Sequence, residues 1–283
     1  MQFCIIMDLQ EFIAAALAED VGTGDHTSLA TISHNKIGKA RLLVKEDGIL
    51  AGVNVAINIF KAVNPELKVD VKITDGESIK YGDEVLYVEG PIQDILKAER
   101  LVLNCMQRMS GIATTTRKYV DAISSTKAKI LDTRKTTPLM RALEKEAVKL
   151  GGALNHRFGL YDMILIKDNH VDGAGGIKNA IESATKYLKE HSLKLPIVIE
   201  TRNLEEVKHV LEVGGVQRIM LDNFSPSGMK EAIELINGKF ATEASGGITL
   251  SNIMDYATTG IDFISIGALT HSVKSLDLSL KII

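Results

Sequence analysis

Five basic side chains are grouped in this sequence: Arg134 with Lys135, His156 with Arg157, and Lys167. Arginine's planar fork pairs bidentately with carboxylate or phosphate, and lysine adds a point charge. Singly, each reads as a solvated loop charge. Together they read as a shared pocket for a small molecule with several negative charges. Two acids, Glu200 and Asp222, each close an apolar run. They can pair with the arginines. Alternatively, they bind ribose hydroxyls and a Mg2+ carried mainly by substrate phosphates, because magnesium keeps several waters and needs only one or two carboxylates. In that role they would also stabilise positive charge developing at an anomeric carbon. Ser245-Gly246-Gly247, expected to lead into a helix near Thr249, and Gly267 at the end of the next run offer backbone that a phosphate can approach closely.

Most of these residues follow a short apolar run. The runs are Ile130-Leu131, Met163 to Ile166, Ile197 to Ile199, Ile219 to Leu221, Phe240-Ala241 and Phe263 to Ile266. Runs apolar throughout suit strands covered on both faces. Helical stretches lie between them: Asn203 with Glu206 resembles a capping box, Gly214 stands where that helix should stop, and Ser225-Pro226 offers an N-cap and a first-turn proline. Such alternation predicts a parallel sheet, and so many units favour a barrel, here an incomplete, irregular parallel α/β barrel. The carboxyl ends of barrel strands converge on one face. Residues distant in sequence therefore meet.

The first third reads differently. A short amphipathic helix (Leu9 to Ala18) precedes strands broken by turns over Lys39 to Val53 and Val69 to Gly90. A long helix follows from about Ile95 to Met109, with Gly111 as its expected stop.

Composition narrows the class. A net charge of -3 over 283 residues argues against nucleic-acid or membrane adsorption. Two cysteines, Cys4 and Cys105, form no metal or disulfide spacing and suit a reducing compartment. The start lacks a basic flank and no apolar stretch reaches membrane-spanning length, so a cytoplasmic location is expected. His156, His170 and His271 lack zinc-site spacing. Asp20-Val21-Gly22-Thr23-Gly24-Asp25 precedes no buried strand–helix crossover, so it is no dinucleotide fingerprint.

Leu131-Asp132-Thr133-Arg134-Lys135-Thr136-Thr137-Pro138 and the string Asn155-His156-Arg157-Phe158-Gly159-Leu160-Tyr161-Asp162 through His170 resemble the quinolinate phosphoribosyltransferase family. The segments Glu19 to Ser28, Glu99-Arg100 and Met109 to Thr114 extend that resemblance over nearly the whole chain. It implies an N-terminal α/β sandwich-like domain (1–110, with the 272–283 tail packing back on it) and a barrel domain (111–271). It implies quinolinate and phosphoribosyl pyrophosphate as substrates, Mg2+ with the donor, and a homodimer with a shared active site, which a hexamer would extend. Arg100 would reach quinolinate from the neighbouring subunit, beside Arg134, His156, Arg157 and Lys167, and Thr133 would also bind substrate. Lys135 would lie near the donor, Glu200 and Asp222 would face ribose and magnesium, and Ser245, Gly246, Gly247, Gly267 and His271 would surround the 5-phosphate. Lys135, Lys167, Glu200 and Asp222 would be the catalytic set. Two departures stand out: Leu139 follows Pro138 where glycine is common, and Ala153 replaces a common third glycine. A Schiff-base sugar-phosphate lyase using Lys135 or Lys167, a sibling transferase acting on another heteroaromatic acid, and a non-catalytic metabolite-binding relative are the competing readings.

Overall fold

The computed structural model describes residues 8–283; the opening apolar run and Cys4 lie outside the described residues. The chain begins α1 (Leu9–Val21), α2 (His26–Thr31), β1 (Ile37–Val44), β2 (Gly48–Ile49), α3 (Val53–Val63), β3 (Lys68–Val71), β4 (Ser78–Ile79), β5 (Glu84–Pro91) and α4 (Ile92–Ala122). Next come β6 (Lys129–Leu131), α5 (Arg141–Leu150), β7 (Ile164–Ile166), α6 (Asp168–Ala174), α7 (Ile177–Glu190), β8 (Ile197–Thr201) and α8 (Leu204–Val213). The last elements are β9 (Arg218–Asp222), α9 (Pro226–Ile236), β10 (Ala241–Ser245), α10 (Ile253–Ala257), β11 (Phe263–Ser265), α11 (Ala268–His271) and β12 (Leu278–Ile282). Two compact units result: Met1–Arg117 with Thr136–Gly152 and Ser272–Ile283, and Lys118–Lys135 with Ala153–His271.

The first unit is built on an antiparallel sheet ordered β12-β1-β5-β3. Side chains alternate along a strand, so register decides the core. Leu42 stands opposite Leu86 and Leu280, Ala40 opposite Val88, and Val44 opposite Leu278. All are buried. Each large apolar side chain on this face contributes about 1.5–3 kcal/mol by leaving water. The alternate residue Arg41 points to the other face and pairs with Glu84 at 2.5 Å. The tail strand β12 closes one edge of this sheet.

Three local expectations change here. The strand expected to reach Val53 stops at Ile49, and Val53 instead opens α3, whose buried Val53, Ala56, Ile59 and Phe60 follow helical spacing. The long helix runs through Gly111 rather than ending there. A Cβ at Gly111 would stand 2.3 Å from the Lys274 carbonyl oxygen, so glycine serves a close backbone approach inside the helix. Finally, Thr136–Gly152, expected within the barrel region, belongs to the first unit. Arg108 grips the fully buried Glu144 at 2.9 Å, and Thr137 N–H donates to the same carboxylate. A side chain at Gly151 would strike Thr116.

The second unit is a six-stranded parallel sheet ordered β6-β11-β10-β9-β8-β7. Beside β6 the returning chain adds a parallel bridge from Leu131 to Leu154. No pairing closes β7 onto that segment among the described residues, which leaves the barrel incomplete. Helix ends follow the sequence in two places: Asn203 caps α8 and Gly214 ends it, and Ser225 caps α9 with proline in its first turn. The capping box at Asn203 is only half made, because Glu206 accepts from Arg202 N–H at 2.7 Å. The fifth strand lies farther along than Phe240-Ala241 suggested. It is Ala241–Ser245, Ala-Thr-Glu-Ala-Ser, whose polar content hides it from an apolar search.

Candidate active site

Strand register assembles the site. Glu200 lies opposite Met220, Met220 opposite Glu243, and Asp222 opposite Ser245. With side chains alternating, Glu200, Asp222, Glu243 and Ser245 share one face. Parity carries Lys167 onto that face from β7, Gly267 from β11 and Thr133 from β6. The carboxyl ends therefore bring together residues spread over more than a hundred positions.

Arg134 and Arg157 form the strongest electrostatic feature. Burial and the positive charge of Arg134 both depress the Arg157 guanidinium from its ordinary value. The Nε of Arg134 is buried without a hydrogen-bond partner. Two neighbouring guanidinium groups, one with an orphaned donor, make a place where an anion relieves both repulsion and desolvation. Arg157 is also anchored through Nη1 to the Met163 carbonyl at 3.2 Å.

His156, expected in the cationic set, is buried between the Arg157 backbone and Glu243. Its Nδ1 accepts the Arg157 N–H at 2.7 Å, so the ring proton sits on Nε2, which lies 3.3 Å from Glu243 Oε1. His156 N–H donates to Asp132 at 2.7 Å, and Asn155 Nδ2 donates to the other oxygen of that carboxylate at 2.7 Å. Asp132 is fully buried. The sequence placed Asp132 in its strand-end motif without assigning it a role, and it did not single out Glu243.

Lys167 Nζ lies 3.6 Å from Glu200 Oε2. Burial raises the Glu200 carboxyl above the ordinary carboxylate range, and the negative charges of Asp222 and Asp168 add to this, while Lys167 opposes it. The Lys167 side chain is 50% exposed, unlike the apolar pocket a Schiff-base lysine requires. Two acids on adjacent strands, with the charge of Asp222 close enough to raise Glu200, fit a divalent cation. Among the described residues no group of three or more His, Cys, Asp or Glu is placed to hold a metal by itself.

The glycine turns are tight for identifiable reasons. Gly246 has φ +94° and a Cβ there would stand 2.2 Å from Asn223 Oδ1; Asn223 itself is left-handed and donates its N–H to the Ser245 carbonyl at 2.8 Å. Gly247 has φ +63° and faces open space. The helix expected at Thr249 begins only at Ile253, because Asn252 Oδ1 first takes the Thr249 N–H and holds a turn. At Gly267, a Cβ would meet both Lys135 Cδ and the His271 ring at 3.0 Å, so these side chains converge on one glycine. Thr133 Oγ1 accepts the Lys135 N–H at 3.1 Å, and Thr270 Oγ1 donates to the Lys135 carbonyl at 2.8 Å. Arg100 is exposed on α4, in the first unit.

A cavity of about 540 Å³ also opens at the amino ends of β9 to β11, lined by Lys127, Gln217, Lys239, Thr242 and Asp262. Its charges are structural: Lys127 pairs with Asp262 at 2.7 Å, and Asp262 accepts from Thr242 N–H and Oγ1. The chemistry gathers at the opposite ends of the strands.

Comparison with known proteins agrees with this geometry. Residues 25–110 match the family described as quinolinate phosphoribosyl transferase, N-terminal domain, and residues 112–281 its C-terminal domain. The nicotinate-nucleotide pyrophosphorylase [carboxylating], chloroplastic, of Arabidopsis thaliana is 50% identical, over 97% of this chain and 83% of that protein. The quinolinate phosphoribosyltransferase [decarboxylating] 2, mitochondrial, of Nicotiana glauca is 48% identical over 97% and 82%. The crystal structure of NadC from Streptococcus pyogenes superposes with a TM-score of 0.92 at 38% identity, covering 96% of this chain and 95% of that one. With both domain descriptions matched in order and solved relatives sharing the fold over nearly their full length, this chain belongs to the quinolinate phosphoribosyl transferase family.

Proposed function

We propose that this protein is a decarboxylating quinolinate phosphoribosyltransferase. It converts quinolinate and 5-phosphoribosyl 1-pyrophosphate to nicotinate mononucleotide, pyrophosphate and carbon dioxide. The observation that carries this reading is the Arg134–Arg157 pair, two partly desolvated guanidinium groups beside an orphaned Nε. A ring with two adjacent carboxylates matches two forks; a monocarboxylate leaves one unmatched.

The reaction follows from the placement of charge. The pyridine nitrogen lone pair attacks the anomeric carbon, and the carbon–oxygen bond to pyrophosphate breaks with its electron pair leaving on oxygen. Glu200 and Asp222 stabilise the positive charge that develops at that carbon. They would also hold a Mg2+ bound to the donor phosphates, which supplies charge neutralisation to the leaving group. Once the nitrogen is quaternised, the bond to the 2-carboxylate breaks toward the ring, carbon dioxide departs, and the ring carbon takes a proton. Arg134 and Arg157 hold the ring in line throughout. Lys135, with Gly267 and His271, belongs to the donor phosphate, together with Ser245, Gly246 and Gly247; Lys167 belongs with Glu200 beside the ribose. Arg100 joins the dicarboxylate pocket from a second subunit of a homodimer, and the cysteine usage favours the cytoplasm.

The test uses quinolinate labelled in the 2-carboxylate, with donor and Mg2+. Labelled carbon dioxide should appear in step with pyrophosphate, and Arg134→Ala should raise the KM for quinolinate by about a hundredfold or more while the donor KM changes little. Equal losses for both substrates, or pyrophosphate release without carbon dioxide, would refute the assignment.

A further inference from the structure

Glu243 has no part in the chemistry above, yet it lies at the centre of a buried polar cluster that includes His156, the neighbour of Arg157. It is fully buried in the middle of β10. Arg218 Nη1 donates to Oε2 at 2.7 Å; Ser265 Oγ donates to Oε1, and His156 Nε2 faces that same oxygen at 3.3 Å. Arg218 in turn stacks over Phe263, 4.1 Å from the ring centroid. Barrel interiors are ordinarily filled with branched apolar side chains, and a buried ion pair is poor value for stability compared with a hydrophobic replacement of the same volume. A carboxylate spent here is better explained by what it orients.

We propose that Glu243 is a positioning residue: fixed by Arg218 and Ser265, it keeps the His156 ring proton on Nε2, leaving Nδ1 to receive the Arg157 N–H and so aiming Arg157 at the anionic substrate. The segment around Arg157 is clamped at three points. Asp132 holds the Asn155 side chain and the His156 N–H, and the His156 ring holds the Arg157 N–H. The first two clamps tolerate either tautomer. The third does not, because a proton on Nδ1 would set two donors face to face and push Arg157 away. The Glu243 carboxylate, 3.3 Å from a buried Nε2 that has no hydrogen-bond partner, attracts a proton there and offers none of its own, so it favours the tautomer the third clamp requires. The aiming of Arg157 at quinolinate rests on the function proposed above; the tautomer does not.

Two measurements on the full-length protein decide the matter. In nitrogen-15 spectra of the histidine side chains, with His156 assigned by its loss in His156→Asn, the ligand-free wild type should show Nδ1 unprotonated and Nε2 protonated. Glu243→Gln should shift His156 toward an Nδ1 proton and raise the quinolinate KM about tenfold, with the donor KM within about twofold. Glu243→Asp should recover part of both changes. A merely structural Glu243 would lower thermal stability and leave the tautomer and the ratio of the two KM values alone. The proposal is overturned by a wild-type Nδ1 proton, or by Glu243→Gln with unchanged His156 signals and unchanged quinolinate KM. If Glu243→Gln does not fold, the wild-type spectrum still decides the tautomer, and Ser265→Ala, which frees Oε1 from its second donor, should leave it on Nε2. If the wild type fails to use quinolinate, the proposed function falls while the spectra still judge the positioning.

Discussion

The two sheets of this protein solve the same burial problem in different ways. In the first unit, one face of β1, β5 and β12 is wholly apolar, and Leu42, Leu86 and Leu280 fill it in strict alternation. In the second unit, the inner face of the parallel sheet carries Glu200, Met220, Asp222, Glu243, Ser245 and Ser265, with Asp132 and His156 buried beside them. A dry face stabilises through area and asks only for volume. A polar interior has to satisfy every donor and acceptor, and returns orientation instead. The protein holds its scaffold with the first arrangement and its reagents with the second.

The contrast can be broken most severely at Arg218. Arg218→Met leaves the buried Glu243 without its cation and should cost about 3–5 kcal/mol in denaturant unfolding. Arg108→Met in the first unit should cost a similar amount, because the fully buried Glu144 keeps the Thr137 N–H much as Glu243 keeps Ser265 Oγ; a much smaller loss there would mean that only the barrel pair depends on its cation. Next in size, Leu42→Ala should cost about 2–5 kcal/mol by opening a cavity, with both KM values unchanged. A shift in quinolinate KM there would show that the dry sheet also tunes the site.

Titration separates the two kinds of buried acid within the barrel. Glu200 is raised by burial and by Asp222 and Asp168, so the native state holds that proton more tightly than the unfolded chain does. Stability from this group is complete below the ordinary glutamate range and is lost as pH rises through the raised value. Wild type should therefore lose thermal stability relative to Glu200→Gln as pH climbs through that window. For Glu243, burial opposes ionisation, but His156, Ser265 and Arg218 outweigh it and hold the carboxyl low. Its contribution is present above the ordinary range and lost as pH falls through the depressed value, the opposite slope. Parallel melting curves for wild type and Glu200→Gln would contradict this account.

The smallest effect concerns Leu139, 70% exposed with φ +64°. A left-handed leucine costs roughly 1–2 kcal/mol, and glycine returns part of that as unfolded-state entropy. Leu139→Gly should stabilise by about 1 kcal/mol or less, read as a small rise in Tm. The departure from glycine noted in the sequence thus falls on a backbone position that favours glycine.

Much of the fold was legible in advance because it is written in local chemistry. Apolar runs marked five of six barrel strands closely, and Ser225-Pro226 and Gly214 marked helix ends. What was misread depended on partners distant in sequence. Gly111 looked like a stop until Lys274 supplied the reason for a glycine within a helix. The fifth strand was placed at Phe240-Ala241, short of Glu243, whose buried charge is accounted for only by Arg218, Ser265 and His156.

By itself, the sequence determined which side chains end each strand, since periodicity and charge are properties of the chain. It therefore named Arg134, Arg157, Lys167, Glu200 and Asp222 without coordinates. Only the tertiary structure decided which of them face each other, which nitrogen of His156 carries the proton, and that a mid-strand glutamate lies behind it. Hydrogen-bond direction and register depend on atoms brought together from distant segments, and no local pattern in the chain encodes them.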